Sequence, residues 1–321
     1  TTCPKCGAPA RRETDTMPQW AGSSWYYMRY LDPHNDKEFC SREQMERWIP
    51  VDHYNGGNEH NTRHLIYSRF WHKALYDLGF VNTVEPYKKR TTNGLLMGSD
   101  GKKMSKSAGN GFQVDEMVAR VGADAARTTV LSLGPWDTNV NWSDGALAGV
   151  QRFLKRVENM ADNLTDAPMN AEQERLVNQL IADMTDRLEN MRFNTAISAM
   201  MEFINQFDGK MPRPAYEILV QVLNPFAPHL TEEIWQRLGH DDMLVFQPWP
   251  TYDASKLVKT TMTMVASVNG KRAAEFQIGV DATNDEVIAM ARDVAAKKLD
   301  GVEIVKTIVV PNKLVNFVVK K

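Results

Sequence analysis

The chain has 321 residues, 43% of them hydrophobic, and a formal net charge of −2. That length suggests two or three domains of ~100–200 residues each, and the near-zero charge excludes a globally basic nucleic-acid binder, so a polyanion must meet local patches. No stretch approaches the ~20 apolar residues of a membrane span, no basic leader precedes an apolar run, and three cysteines (Cys3, Cys6 and Cys40) fit a reducing, cytoplasmic setting.

A chain that opens on Thr1-Thr2-Cys3 without a methionine is expected to be part of a longer protein. Cys3-Pro-Lys-Cys6-Gly7 has the spacing of half a zinc ribbon. A closed structural site needs four ligands, so the pair is either a knuckle severed from its partner or a free turn. From Arg11 to Tyr30 the chain changes character, and aromatic, small and acidic residues mix without one period. Such residues can line an apolar pocket, but composition favours core.

Val51-Asp52-His53-Tyr54 reads as a short strand broken by Gly56-Gly57, and His64, Leu65, Ser68, Trp71, Leu75 and Leu78 then follow helical spacing. A Gly-Gly turn between a strand and a helix allows nucleotide approach. His60 and His64 are expected one helical turn apart on one face. They are candidate metal ligands with Glu59, or satisfied core histidines.

Leu95-Leu96-Met97 reads as a strand that delivers Gly101-Lys-Lys-Met-Ser-Lys-Ser-Ala-Gly-Asn110 to the edge of an open sheet, where ligands sit. The lysines offer charge to phosphate, and the glycines let the loop close as a lid. Asp115 to Val130 reads as one helix.

From Ser143, a candidate cap, five amphipathic stripes with short breaks imply a helix bundle. The first carries Arg152, Lys155 and Arg156 on its polar side. Residues 247–256 read as a linker. Met262–Val268, the hairpin signal Asn269-Gly270, Ala274–Val280, a helix over 285–299, Ile304–Val310 and Leu314–Val319 then make a ββαββ module. Lys306, Lys313, Lys320 and Lys321 are expected to form a basic end of it.

With these residues assembled, Lys103-Met-Ser-Lys-Ser107 resembles the signature loop of class I aminoacyl-tRNA synthetases. Glu13-Thr-Asp-Thr-Met17 with Ser23-Ser-Trp25-Tyr26-Tyr27 resembles the leucyl branch, as do Tyr54-x-Gly56-Gly57-x-Glu59-His60-x-x-x-His64, Arg192-Phe-Asn-Thr-Ala-Ile197, Pro225-Phe-Ala-Pro-His229 and Val268-Asn-Gly-Lys271. Asn55, Asn61, Arg63, Asn93 and Ala108 depart from the family pattern, and the His-Ile-Gly-His stretch and the editing domain are not in this sequence.

The resemblance implies the carboxy-terminal half of a bacterial-type leucyl-tRNA synthetase. Its fold would be α/β and α multi-domain: a zinc-ribbon remnant (1–14), the second half of a Rossmann-like catalytic domain (15–135), an anticodon-binding-type helix bundle (136–250) and a small C-terminal α+β domain (257–321). Lys103 and Lys106 are then catalytic. Gly56, Gly57, Glu59, His60, Met104, Ser105 and Lys106 bind ATP. Trp20, Ser23, Tyr26, His60 and His64 bind leucine. Arg152, Lys155, Arg156, Lys306, Lys313 and Lys320 bind tRNA-Leu. ATP enters with Mg²⁺, zinc belongs only to the longer parent, and a monomer that forms no adenylate by itself is expected. The alternatives are a stand-alone tRNA-binding module and another class I synthetase such as the methionyl one.

Overall fold

A computed structural model describes residues 1–15, 21–105, 107–207, 210–258 and 261–320. The chain divides into two compact units, residues 1–157 with 187–198 and residues 158–186 with 199–321.

In the first unit a short 3-10 turn (Gly22–Ser24), helix α1 (Tyr26–Arg29) and helix α2 (Arg42–Trp48) lead to strand β1 (Val51–Gly57). The connection from α1 to α2 holds its shape because Arg29 Nη atoms donate to the carbonyls of Pro33, Asn35, Glu38 and Phe39. Contrary to the sequence reading, Gly56 and Gly57 do not break β1 but complete it, because they pair in register with Thr92 and Asn93. A 3-10 turn (Asn58–Thr62), helix α3 (His64–Asp77) and strand β2 (Tyr87–Asn93) follow, and β2 lies parallel to β1. This is a strand–helix–strand unit whose strands end at one edge.

Strand β3 (Leu96–Met97) continues from β2. Helices α4 (Val114–Val121) and α5 (Ala123–Ser132) then return the chain to strand β4 (Val140–Asn141), which pairs parallel to β3. The single helix expected over 115–130 is therefore two, because Gly122 adopts φ +83° between them. Helix α6 (Asp144–Met160) starts in this unit, capped by the Ser143 hydroxyl accepting from Ala146 N–H at 3.1 Å.

Strand β5 (Leu164–Thr165), most of helix α7 (Ala171–Glu189), the later part of helix α8 (Phe193–Asn205), strand β6 (Met211–Pro212) and helices α9 (Arg213–Leu223) and α10 (Pro228–Arg237) open the second unit. Pro212 and Pro214 flank the start of α9 and Pro228 is the first residue of α10, where a missing N–H is no loss. Apolar residues of α9 and α10, including Tyr216, Leu219, Leu223 and Ile234, are wholly buried. Residues 247–257 are strapped along α7: Trp249 Nε1 donates to Thr185 at 2.8 Å, Asp253 N–H to Asn178 at 2.7 Å, and Lys256 pairs with Glu174 at 2.9 Å.

Strands β7 (Thr261–Val268) and β8 (Lys271–Gly279) form the expected hairpin, with Asn269 at φ +47° and Gly270 at φ +76°. Helix α11 (Asn284–Val294) begins with a capping box between Thr283 and Glu286. It is followed by the short helix α12 (Ala296–Leu299), so the helix expected over 285–299 is interrupted at Ala295. Strands β9 (Glu303–Val310) and β10 (Leu314–Lys320) complete a sheet of order β8-β7-β10-β9. Met264, Ala266, Phe276, Ile278, Val315 and Phe317 bury one face against Val287 and Ala291 of α11.

Leu219 has no exposed surface. Leu219→Ala is expected to destabilise the second unit by about 2–5 kcal/mol, the range for truncating a buried leucine, measured by urea denaturation.

Candidate active site

The ends of the parallel strands β1 and β2 lie side by side at Gly57 and Asn93, and the chain that follows each carries polar side chains. A cleft of about 580 Å³ lies there, lined by Asn58, Glu59, Arg63, Thr92, Asn93, Gly94, Leu95, Lys103, Asp137 and Asn139. Glu59 folds back over Gly57, where a Cβ would overlap its carboxylate. Gly94 admits the 136–142 segment, since a Cβ there would overlap the Thr138 carbonyl, a backbone group that cannot move aside. The two segments are then stitched by Gly94 N–H to Trp136 O at 2.8 Å, Leu95 N–H to Asn139 Oδ1 at 2.8 Å and Val140 N–H to Leu95 O at 3.0 Å. Asp137 and Asn139 reach the cleft this way. Sequence reasoning missed both; their signal was Gly94, whose need for a close neighbour becomes visible only once β4 is placed.

The lysine-rich loop is tied internally. Lys103 bridges back to Met97, Asn110 accepts from Ser105 N–H at 3.0 Å and donates to the Asp100 carboxylate and the Lys103 carbonyl at 3.3 Å. The Ser105 hydroxyl accepts from Ala108 N–H at 3.1 Å. Lys103 is exposed and faces the cleft. Met104 and Ser105 do not line it, and Lys106 lies outside the described residues.

Beside the cleft, α3 presents His64, Ser68 and His72 at one-turn intervals, 4%, 0% and 0% exposed. Each polar group meets a tyrosine. Tyr54 Oη lies 2.9 Å from His64 Nδ1, and Tyr27 Oη lies 2.9 Å from His72 Nδ1. Between them the buried Tyr87 hydroxyl faces Ser68 without completing a hydrogen bond. The acceptors assign the protons. Ser23 O, 2.5 Å from His64 Nε2, can only accept, so Nε2 carries the hydrogen and Nδ1 accepts from Tyr54. Thr83 donates to Glu85 O at 3.2 Å and so accepts from His72 Nε2 at 3.0 Å. Burial lowers the pKa of both histidines and raises those of Tyr54, Tyr27 and Tyr87. At the outer end of α3, hydrogen bonds from Arg69 and then Lys73 hold the Glu85 carboxyl down at about 2.

Of the predicted leucine residues, Ser23, Tyr26, His60 and His64 come together: His64 bonds Ser23, and its ring lies 5.6 Å from Tyr26 and 6.4 Å from His60. Trp20 lies outside the described residues. His60 belongs to the 3-10 turn and Arg63 breaks the helix with φ −123° and ψ −106°, so the two histidines do not share a helix face as expected. Their proximity comes from the turn.

Arg152, Lys155 and Arg156 are exposed on α6. The β9–β10 hairpin separates the other predicted tRNA residues: Lys313 sits at its turn, Lys306 opposes Val318, and Lys320 opposes Glu303 at the far end. Lys313 and Lys320 are thus about 23 Å apart by strand rise and do not form one basic end. Lys321 lies outside the described residues. Cys3 and Cys6 occupy a tight turn in which N–H groups of Cys6 and Lys5 lower the Cys3 thiol pKa. Among the described residues no third ligating side chain joins them, so they do not fit a closed zinc site. Among those residues, too, no helix is long and apolar enough to cross a membrane. A second cleft of about 630 Å³, between Lys89, Trp136 and Arg192, belongs to the same unit.

Comparison with known proteins follows this division. Residues 7–143 match the family "tRNA synthetases class I (I, L, M and V)", and residues 173–289 match "Anticodon-binding domain of tRNA ligase". A leucine–tRNA ligase of Alkaliphilus oremlandii (strain OhILAs) is 44% identical over the whole chain, which covers 40% of that relative. Among solved structures, a LeuRS of Agrobacterium radiobacter K84, in a ternary complex with tRNA and LeuAMS, is 29% identical with TM-score 0.72, covering all of this chain and 45% of that one. A methionyl-tRNA synthetase of Mycobacterium tuberculosis, 16% identical with TM-score 0.52 over 69% of this chain and 50% of its own, shares the fold. The chain thus spans less than half the length of the leucyl relatives it matches.

Both buried histidines have pKa values below the ~6.5 of an unfolded histidine. The unfolded chain therefore binds more protons at acid pH. Their contribution to stability is complete above about pH 6.5 and declines as the pH falls below it, down to the folded pKa values. Denaturation followed by tryptophan fluorescence is expected to show this decline, and a shallower one in His72→Gln.

Proposed function

Because the chain belongs to the class I tRNA synthetases and is homologous along its length to a leucine–tRNA ligase, we propose that the whole protein forms leucyl-adenylate from leucine and ATP and transfers the leucyl group to tRNA-Leu. The observation that carries this reading is the convergence of Ser23, Tyr26, His60 and His64 on one wall, next to a cleft lined by Glu59 and Lys103.

The chemistry follows from the groups present. The leucine carboxylate attacks the α-phosphate of ATP, and charge grows on the departing pyrophosphate. Catalysis of such a step is positioning plus neutralisation of charge. Lys103, at the mouth of the cleft, supplies a point charge to the leaving phosphates. The resemblance assigns Met104, Ser105 and Lys106 of the same loop to the ATP as well. Gly56 and Gly57 let the nucleotide approach β1, and the Glu59 carboxylate accepts from the ribose hydroxyls. Mg²⁺ would enter on the ATP phosphates, where it neutralises their charge. The aromatic wall takes the apolar leucine side chain. Such a pocket separates amino acids differing by one methylene by only about 1–3 kcal/mol, so fidelity needs editing elsewhere in the whole protein.

We read residues 15–135 as the nucleotide-fold half with its loop, 136–250 as an anticodon-binding-type bundle and 257–321 as a tRNA-binding α+β domain, with 1–14 a zinc-ribbon remnant. Exposed Arg152, Lys155 and Arg156 contact the tRNA backbone, as do Lys306, Lys313 and Lys320 along the β9–β10 hairpin.

Leucine-dependent ATP–pyrophosphate exchange by the whole protein tests the reading. Lys103→Ala is expected to lower kcat roughly a hundredfold, the scale of one lost charge-stabilising donor, at nearly unchanged KM for leucine. Exchange that depends on methionine instead would overturn it. Reversing Lys313 and Lys320 to Glu should weaken tRNA binding and flatten its salt dependence by about 0.7–0.9 per lost phosphate contact, leaving exchange intact. An unchanged slope would make these lysines ordinary surface charges.

A further inference from the structure

The charged side chains that line the cleft at the strand ends are Glu59, Arg63, Lys103 and Asp137. With Glu59 on the ribose, Lys103 and Asp137 cancel, and by themselves they would give a polyphosphate no net attraction. Arg63 is the charge that tips the balance positive. The local sum matters here, because a carboxylate in the same cleft offsets a single lysine at short range.

The chain delivers Arg63 to the cleft through a braced turn. In the 3-10 turn, Asn61 Nδ2 donates to Asn58 Oδ1 at 2.6 Å, the Thr62 hydroxyl to the Glu59 carbonyl at 3.3 Å, and Arg63 N–H to the His60 carbonyl at 3.3 Å. Arg63 then leaves the helical region of backbone space, and its carbonyl accepts from Tyr67 N–H at 3.3 Å as α3 begins. Its side chain is exposed and lines the cleft, whereas His64, the next residue, is buried against the aromatic wall. Other arginines of this unit are committed to the protein: Arg69 pairs with Glu85 at 2.8 Å, and Arg29 donates to four carbonyls. Among the described residues none holds the Arg63 guanidinium in this way. Asn61 and Arg63 both depart from the family pattern, so the resemblance assigns neither of them a role.

We propose that Arg63 is a second phosphate-binding residue of the nucleotide site, acting with Lys103 on the ATP phosphates, and that Asn61 is a positioning residue that braces the turn delivering it. The inference rests on the nucleotide reading of this cleft. A guanidinium suits the task because it is always charged and its planar fork meets two phosphate oxygens at once, where the lysine offers a point charge. The leucine carboxylate is not its partner, because the leucine wall gathers around His64 while Arg63 lines the cleft that holds Lys103.

Leucine-dependent ATP–pyrophosphate exchange by the whole protein tests this. Arg63→Leu is expected to raise KM for Mg·ATP and for pyrophosphate about tenfold, the scale of a lost charge-assisted hydrogen bond, with KM for leucine level. Arg63→Lys should recover part or all of the loss. Asn61→Ala should raise KM for Mg·ATP by less, and should add nothing in the Arg63→Leu background, since it acts through Arg63. In the wild-type protein, Mg·ATP should slow modification of Arg63 by an arginine-selective dicarbonyl reagent, read by mass spectrometry, and leucine alone should not. Unchanged KM values for Mg·ATP and pyrophosphate in Arg63→Leu overturn the inference, as does an Arg63→Lys protein no better than Arg63→Leu. A KM for leucine or for tRNA that rises in their place also overturns it, because the guanidinium then serves a carboxylate or the tRNA backbone. An Arg63 modified equally fast with and without Mg·ATP overturns it whether or not the variants fold. An Asn61→Ala effect that adds in full to that of Arg63→Leu overturns the part given to Asn61. The leucyl-adenylate reading fails separately, if wild-type exchange does not depend on leucine.

Discussion

The first unit depends on one constraint: α3 places two histidines and a serine in the interior, and each must be answered there. A buried polar group left without a partner costs on the order of 1–3 kcal/mol. Tyrosines from two different elements answer the histidines, Tyr54 from β1 and Tyr27 from α1, and the Ser68 hydroxyl donates to the Leu65 carbonyl of its own helix at 3.4 Å. The hydroxyls therefore set the depth at which α3 sits on the strands. An apolar interface could slide by a residue at little cost, whereas this one is held in register by hydrogen bonds at its two ends. His64 is the end of this ladder nearest the strand termini, so the same bonds that seat the helix also shape the site.

A second constraint brings the lysine loop and the 136–142 segment close to those strand ends. Gly94 lets the 136–142 segment touch the β2–β3 junction, and parallel pairing of β3 with β4 keeps it there. Lys103 returns to Met97 immediately after the turn at Gly101. The lysine loop is thus anchored at its root by a strand and closed by Asn110, so that its charges project from a fixed base. On the proposed reading this is what aminoacyl activation requires, since the reaction needs little covalent help and much exact placement.

Much of this was legible in the chain. The five helical stripes, the Asn269-Gly270 hairpin and the ββαββ order are properties of local pattern, and local pattern determines them. The lysine loop was legible because its residue types stand at fixed spacing. What escaped was what depends on distant neighbours. Gly56 and Gly57 look like a break and are strand, because β2 supplies partners for them. His60 and His64 look like one helix face and are not, because Arg63 turns the chain between them. The C-terminal lysines cluster in sequence, yet pairing of β9 with β10 spreads them along a hairpin. Tyr54 stood in a legible motif, but its bond to His64 did not show there, because it depends on a side chain ten residues on whose ring is held by a carbonyl forty-one residues back.

The central claim is that the ends of β1 and β2 take both the leucine side chain and the nucleotide. A crystal structure of the whole protein with a non-hydrolysable leucyl-adenylate analogue tests it most directly. The account predicts the isobutyl group against Tyr26 and the carbon edge of His64, the ribose at Glu59 and the phosphate side toward Lys103. An analogue seated instead in the cleft between Lys89, Trp136 and Arg192, with the His64 wall empty, would contradict it.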